Sequence, residues 1–216
     1  PEIGVASTKA FLGQLMVLYL FALKIGYLDK TLSLKIYKDK IDSIQKLPKL
    51  INETLNFDNK IQIISKTFNQ AKGSMFLGRG FSFPIALEGA LKLKELSYVH
   101  AEGYPAGEMK HGPLALIEEG MPVVVLAPRD NYYRKTISNM QEVIARGAKV
   151  LLITNKSKDE VIPENIWETI EVESADDDLL PFLLTIPLQK LAYYSALNNG
   201  YDIDKPRNLA KSVTVE

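Results

Sequence analysis

Hydrophobic and polar positions change their period at Ser74. Before it the spacing is helical. Phe11, Leu15, Leu18 and Ala22 recur every three or four residues behind a Ser/Thr cap, and Gly26 is a stop signal, so the pattern predicts a helix from Ser7 to about Ile25. Its strongly apolar stretch, Leu15 to Leu23, falls well short of the roughly 18 to 20 residues that cross a bilayer and reads as a buried helix. A second amphipathic run sets Leu34, Tyr37, Ile41, Ile44, Ile51 and Leu55 on one side. Lys35, Lys38, Lys40 and Lys46 are mostly turned away as a solvated face, and Pro48 interrupts or kinks the helix. Ile61 to Ala71 predicts a third helix.

After Ser74, short continuous apolar runs take over. Met75-Phe76-Leu77 leads into Gly78-Arg79-Gly80, with Ser82 as candidate cap and Pro84 in the first turn of a new helix. Met121 to Ala127 and Lys149 to Asn155 are further strands, separated by a helical pattern from Tyr132 to Arg146, and Ile170 to Val172 adds a short one. Strands apolar on both faces, alternating with helices, predict an α/β domain whose parallel sheet is covered on both sides. Ser157 to Asp178 holds nine acidic residues against one basic, a solvent-facing rim. An apolar helix from Pro181 to Leu197 precedes an aperiodic tail. The simplest partition is a helical lead over 1–72 and the α/β domain with its tail over 73–216.

Composition narrows the chemistry. Lys+Arg and Asp+Glu are each 26, which leaves no basic excess for a nucleic-acid backbone. There is no cysteine and there are only two histidines, His100 and His111, so thiolate nucleophiles, disulfides, thiolate metal sites and His-rich metal sites are excluded. The sequence opens on Pro1 rather than Met, which suggests a piece of a longer protein.

Glu88, Lys92 and Glu95 stand at i, i+4 and i+7, within roughly 60° of one another on a helix. On spacing alone they make a surface salt-bridge ladder. Shut away from water, Glu95 could move a proton between adjacent carbons while Lys92 holds the developing negative charge. One difficulty stands out: doubly wound sheets bind ligands at the carboxyl ends of their strands, yet Glu95 lies about 17 Å along its helix from the glycine turn. A catalytic face there needs another domain or subunit to close it. The glycine turn lacks the third glycine of a dinucleotide fingerprint and the Gly-Lys-Ser/Thr of a P-loop. His111, among the turn residues of Gly107 to Pro113, is expected to be exposed and to titrate near neutrality, which suits a sugar-ring-opening acid or base. Lys211, in the aperiodic tail, could offer an amine for an imine with a ketone if the tail is ordered.

Four separated segments, GVASTKAF (Gly4 to Phe11), ALEGALKLKELSYVHAE (Ala86 to Glu102), GEMKHGPLAL (Gly107 to Leu116) and PRNLAKSVTVE (Pro206 to Glu216), closely resemble the glucosamine-6-phosphate synthases, the isomerizing glutamine:fructose-6-phosphate aminotransferases. In that family a glutaminase domain precedes two sugar isomerase (SIS) domains of three-layer αβα, flavodoxin-like architecture; this chain resembles the second SIS domain with the helical segment leading into it. The resemblance implies fructose 6-phosphate as substrate, ammonia from glutamine replacing the C2 oxygen, and isomerisation to glucosamine 6-phosphate, with no metal or organic cofactor.

By motif, the resemblance implies that Glu95 shuttles the C1–C2 proton, Lys92 stabilises the enolamine-like charge and His111 opens the ring in the neighbouring subunit's site. It further implies that Lys211 forms the imine or assists ring opening, that Val5, Ser7 and Ala210 line the sugar site, and that Glu88 supports Lys92. The implied setting is a cytoplasmic homodimer, with no nucleic acid or membrane as partner. The glutaminase and first SIS domain, which carries the phosphate-holding Ser/Thr loop, are absent from the sequence, so the piece alone is expected to be inactive. The rival readings are a fructosamine-phosphate deglycase and a sugar-phosphate-sensing SIS regulator.

Overall fold

The computed structural model describes residues 3–157 and 161–211. Five parallel strands form one sheet in the order β2-β1-β3-β4-β5. They are β1 (Ser74–Gly78), β2 (Ala101–Pro105), β3 (Pro122–Leu126), β4 (Lys149–Asn155) and β5 (Glu168–Val172). The helices are α1 (Lys9–Leu28), α2 (Leu34–Thr54), α3 (Asp58–Gln70), α4 (Ser82–Ser97), α5 (Tyr133–Ile144) and α6 (Leu180–Asn198). The strand order is the flavodoxin-like one, which reverses between β1 and β3.

Every residue of β1 and β3 is buried, as expected for strands covered on both faces. The two-residue alternation sorts their side chains into two cores. Phe76, Val124, Leu126, Leu151 and Ile153 pack with α3, α4 and α6, and Met75, Leu77, Val123, Val125, Val150 and Leu152 pack with α5 and the short 3-10 turns. Leu47 of α2 and Ile61, Ile64 and Phe68 of α3 belong to the first of these cores.

Strand β2 escapes the hydrophobic pattern because Ala-Glu-Gly-Tyr-Pro carries no apolar run; it is an edge strand paired only to β1. An edge tolerates its terminal Pro105, and Gly103 is required because a Cβ there would sit 2.9 Å from the Leu87 backbone.

Helix α1 departs from the expectation of burial. Phe11, Leu12, Leu15, Met16 and Tyr19 pack on the core, but Val17, Leu18, Phe21, Ile25 and Leu28 lie exposed and only Leu23 is buried. A continuous apolar run on a helix covers all faces, and only one of them meets the core here. The helix passes Gly26, where a Cβ would lie 2.9 Å from the Leu32 side chain, and it is long and apolar enough to cross a membrane by length and composition alone. Its Tyr19 hydroxyl instead donates to Asp178 at 2.5 Å.

Two smaller expectations also shift. Pro48 lies inside one unbroken helix α2, and Ser82 is already helical, with Phe81 as the flanking residue of α4. The acidic rim is neutralised in part by the lead: Lys40 binds Asp176 at 3.1 Å and Asp178 at 2.9 Å, and Lys60 binds Glu168 at 3.0 Å. Lys40 thus faces the acids rather than open water.

Candidate active site

Helix α4 is held between the sheet and α6 by Ile85, Ala86, Gly89, Ala90 and Leu93, all buried. At Gly89 a Cβ would stand 2.7 Å from Leu188 of α6, so the close crossing of these helices depends on that residue. The packing tucks Lys92 inside. Its side chain is 3% exposed, its Nζ donates to Glu95 Oε2 at 2.6 Å, and Glu88 Oε1 lies 3.6 Å away. Glu88 and Glu95 are 11% and 23% exposed. The ladder that spacing alone allows on a surface is therefore a largely desolvated cluster with one ammonium between two carboxylates.

The two acids are not equivalent. Glu88 Oε1 makes no hydrogen bond, and burial pushes the Glu88 carboxyl above its ordinary range; Lys92 opposes that shift and the nearby Glu95 charge adds to it. Glu95 has the short bond to the ammonium and also borders open space, in a groove of about 450 Å³ lined by Leu91, Lys94, Glu95, Tyr98, Arg207, Asn208 and Leu209. A carboxylate with an ammonium behind it and a groove in front can exchange a proton with a bound molecule.

The segment after α6 reaches this groove at residues 207–209. Tyr98, which terminates α4 in the left-handed conformation at φ +61°, accepts the Arg207 backbone N–H on its hydroxyl at 2.8 Å. The Arg207 guanidinium lies 4.1 Å from the centre of its ring, and the Tyr201 ring lies 4.7 Å away. Ala210 and Lys211 follow the groove-lining Leu209 and are exposed; residues 212–216, the SVTVE end of the PRNLAKSVTVE segment, lie outside the described residues. On the other side, the Val5 N–H donates to the Asp204 carbonyl at 2.9 Å. Gly4, Ala6, Thr8, Leu96 and Asp204 share a second cavity of about 360 Å³, with Val5 and Ser7 half-buried beside it. Glu95 and residues 207–209 thus border one groove, while Gly4, Ala6 and Asp204 border a separate cavity with Leu96 of the same helix.

His111 does not join them within this chain. It ends a 3-10 turn over Ala106–His111, is 73% exposed, has Nδ1 2.8 Å from Glu108 Oε2, and is absent from the lining of the groove. Tyr98 and Arg207 are functional candidates that sequence reasoning passed over; a tyrosine past a helix end carries no pattern, and its partner is 109 residues away. The crevice at the carboxyl ends of the strands, about 530 Å³, is lined by Arg129, Arg134 and Lys135 together with Asp130. Arg129 is occupied there by the Asn155 carbonyl and by Glu171 at 3.3 Å. Among the described residues no group of three or more His, Asp or Glu is placed to hold a metal ion.

A 2-1-3-4-5 parallel sheet with an acid–lysine cluster on the helix after its first strand defines a class, and the SIS domain profile matches residues 67–199: the chain belongs to the SIS domain family. More narrowly, it is 50% identical over its whole length to the glutamine–fructose-6-phosphate aminotransferase [isomerizing] of Bartonella henselae, and 48% identical to that of Aquifex aeolicus, spanning 36% and 35% of those proteins. Among solved structures, 94% of the chain superposes on the C-terminal domain of glucosamine-fructose-6-phosphate aminotransferase from Francisella tularensis, with a TM-score of 0.89 and 44% identity, covering 57% of that chain. A glucosamine-6-phosphate deaminase from Thermotoga maritima matches at TM-score 0.67 and 25% identity, over 98% of this chain and 58% of that one.

Proposed function

We propose that this chain is the isomerase half-site of an isomerizing glutamine:fructose-6-phosphate aminotransferase, with residues 1–72 leading in from an earlier SIS domain and 73–216 forming the second. The observation that carries the reading is the Lys92–Glu95 pair, its lysine buried and its acid facing a groove bordered by Arg207, Asn208 and Leu209.

Ammonia condenses with the C2 carbonyl of the opened fructose 6-phosphate, and the carbonyl oxygen leaves as water. Glu95 then takes a proton from C1 and returns it to C2, while the C1 hydroxyl proton ends on the C2 nitrogen, which leaves an aldehyde at C1 and an amine at C2. The Lys92 ammonium, 2.6 Å from the acid, holds the negative charge of the enolamine between the two transfers. Glu88 holds Lys92 from the other side. Where Lys211 condenses with C2 first, the oxygen leaves as water at that step and ammonia then displaces the lysine amine from the imine carbon; otherwise Lys211 assists ring opening, beside Ala210, and Val5 and Ser7 border the sugar. His111 opens the ring in the site of a partner subunit, which accounts for its exposure and its absence from the groove. The phosphate is held by the earlier SIS domain, ammonia comes from the glutaminase domain, and the assembly is a cytoplasmic homodimer.

The test uses the full-length parent. Glu95→Gln is expected to lower glucosamine 6-phosphate formation and C1-proton exchange with solvent by about 10²–10⁴-fold, the usual weight of a positioned acid–base group. Lys211→Ala is expected to lose turnover and the borohydride-trapped adduct. Parental rates in both variants would overturn the assignment.

A further inference from the structure

We infer that Tyr98 is a positioning residue that hangs the lysine-bearing tail on the helix of the catalytic acid; the inference rests on the proposed roles of Glu95 and Lys211. Tyr98 lies one helical turn beyond Glu95, and Arg207 lies four residues before Lys211. A contact between Tyr98 and Arg207 therefore limits the Lys211 Cα to within about 14 Å of the anchor, at 3.3–3.6 Å per extended residue. The Val5 N–H bond to the Asp204 carbonyl is a second link, three residues further from Lys211.

Three features of Tyr98 fit this role together. Its hydroxyl accepts a backbone N–H, so the bond fixes the path of the tail whatever side chain stands at position 207. Its ring carries the Arg207 guanidinium at 4.1 Å, a cation–π contact that fixes the same residue a second time. Its backbone is held at φ +61°, a conformation that is costly for a residue with a bulky side chain and that the surrounding contacts must maintain. Glycine would close the helix there without strain. A tyrosine in its place gives the tail an anchor, and Tyr201 packs on the ring from within the tail itself.

The experiment compares Tyr98→Phe and Tyr98→Ala with Lys211→Ala in the full-length parent. Loss of the hydroxyl alone is expected to lower kcat about tenfold, the equivalent of one ordinary hydrogen bond, with KM for fructose 6-phosphate changed less than about threefold. Tyr98→Ala, which removes the ring as well, is expected to lower kcat further. Amide exchange at Arg207 is expected to speed up about tenfold in Tyr98→Phe, a change that a general loss of stability would not confine to the tail. If Lys211→Ala is inactive while Tyr98→Ala keeps kcat within twofold of the parent, the positioning role is wrong and the site reading stands. If Lys211→Ala is itself fully active, the site reading fails, and exchange at Arg207 alone decides the anchor: an unchanged rate in both Tyr98 variants overturns it.

Discussion

Two side-chain pairs in this chain have nearly the same local geometry and opposite surroundings. Lys92–Glu95 and Glu108–His111 are both i,i+3 pairs, at 2.6 and 2.8 Å. The first lies on α4 with its lysine out of water and its acid at the edge of the groove. The second is solvated on both partners. Sequence spacing cannot tell them apart; packing does. Desolvation turns the α4 pair into a unit whose members depend on each other, whereas the 3-10 turn pair leaves its imidazole available to another molecule.

The comparison breaks most easily at Lys92. Lys92→Met leaves two carboxylates facing each other in a space made for an ammonium, and is expected to destabilise the chain by roughly 3–5 kcal/mol in urea unfolding. Adding Glu88→Gln and Glu95→Gln to Lys92→Met removes both orphaned charges and is expected to recover most of that loss. A Lys92→Met variant unfolding within about 0.5 kcal/mol of the parent would place the cluster in the same class as the exposed pair.

Glu88 gives a smaller, pH-dependent effect. Its folded-state carboxyl is raised above its ordinary value of 4.5, chiefly by burial, so between the two values the folded chain binds more protons than the unfolded one. Stability from this group is full below pH 4.5 and is lost as pH rises through the folded-state value. Glu88→Gln removes the titration. Its stability relative to the parent is therefore expected to improve as pH rises from 4.5 towards neutrality, as read from urea midpoints across that range; a constant difference contradicts the desolvation argument.

What the residues reveal in advance follows the same division. The strands β1, β3 and β4 are legible because burial on both faces demands unbroken apolar runs, and the α4 cluster is legible because helical spacing puts its three members on one face. Strand β2 is not, since an edge strand made of Glu102, Gly103 and Pro105 has no pattern to show. The outer face of α1 is not, because hydrophobicity does not say which side meets the core. Nor is Tyr98, whose anchoring of Arg207 depends on how the chain returns after α6. Burial of Lys92 is equally a property of the fold.

The smallest effect on the chain itself is expected at the exposed pair, where the comparison can be made sharpest. His111→Gln breaks only solvated contacts with Glu108 and is expected to shift unfolding by less than about 0.5 kcal/mol. Its consequence belongs to the assembly. If His111 serves the partner's site while Glu95 serves its own, a hybrid dimer of one Glu95→Gln and one His111→Gln subunit contains one site with both defects and one site with neither. Random reassembly of equal amounts of the two inactive parents makes about half the dimers hybrid, and is therefore expected to restore about a quarter of the parental activity in a two-fold dimer. If His111 acts within its own chain, every site in the hybrid lacks one group and mixing restores nothing. Recovery on mixing thus tests directly whether the solvated imidazole is completed by another subunit, as the buried lysine is completed by its own helix.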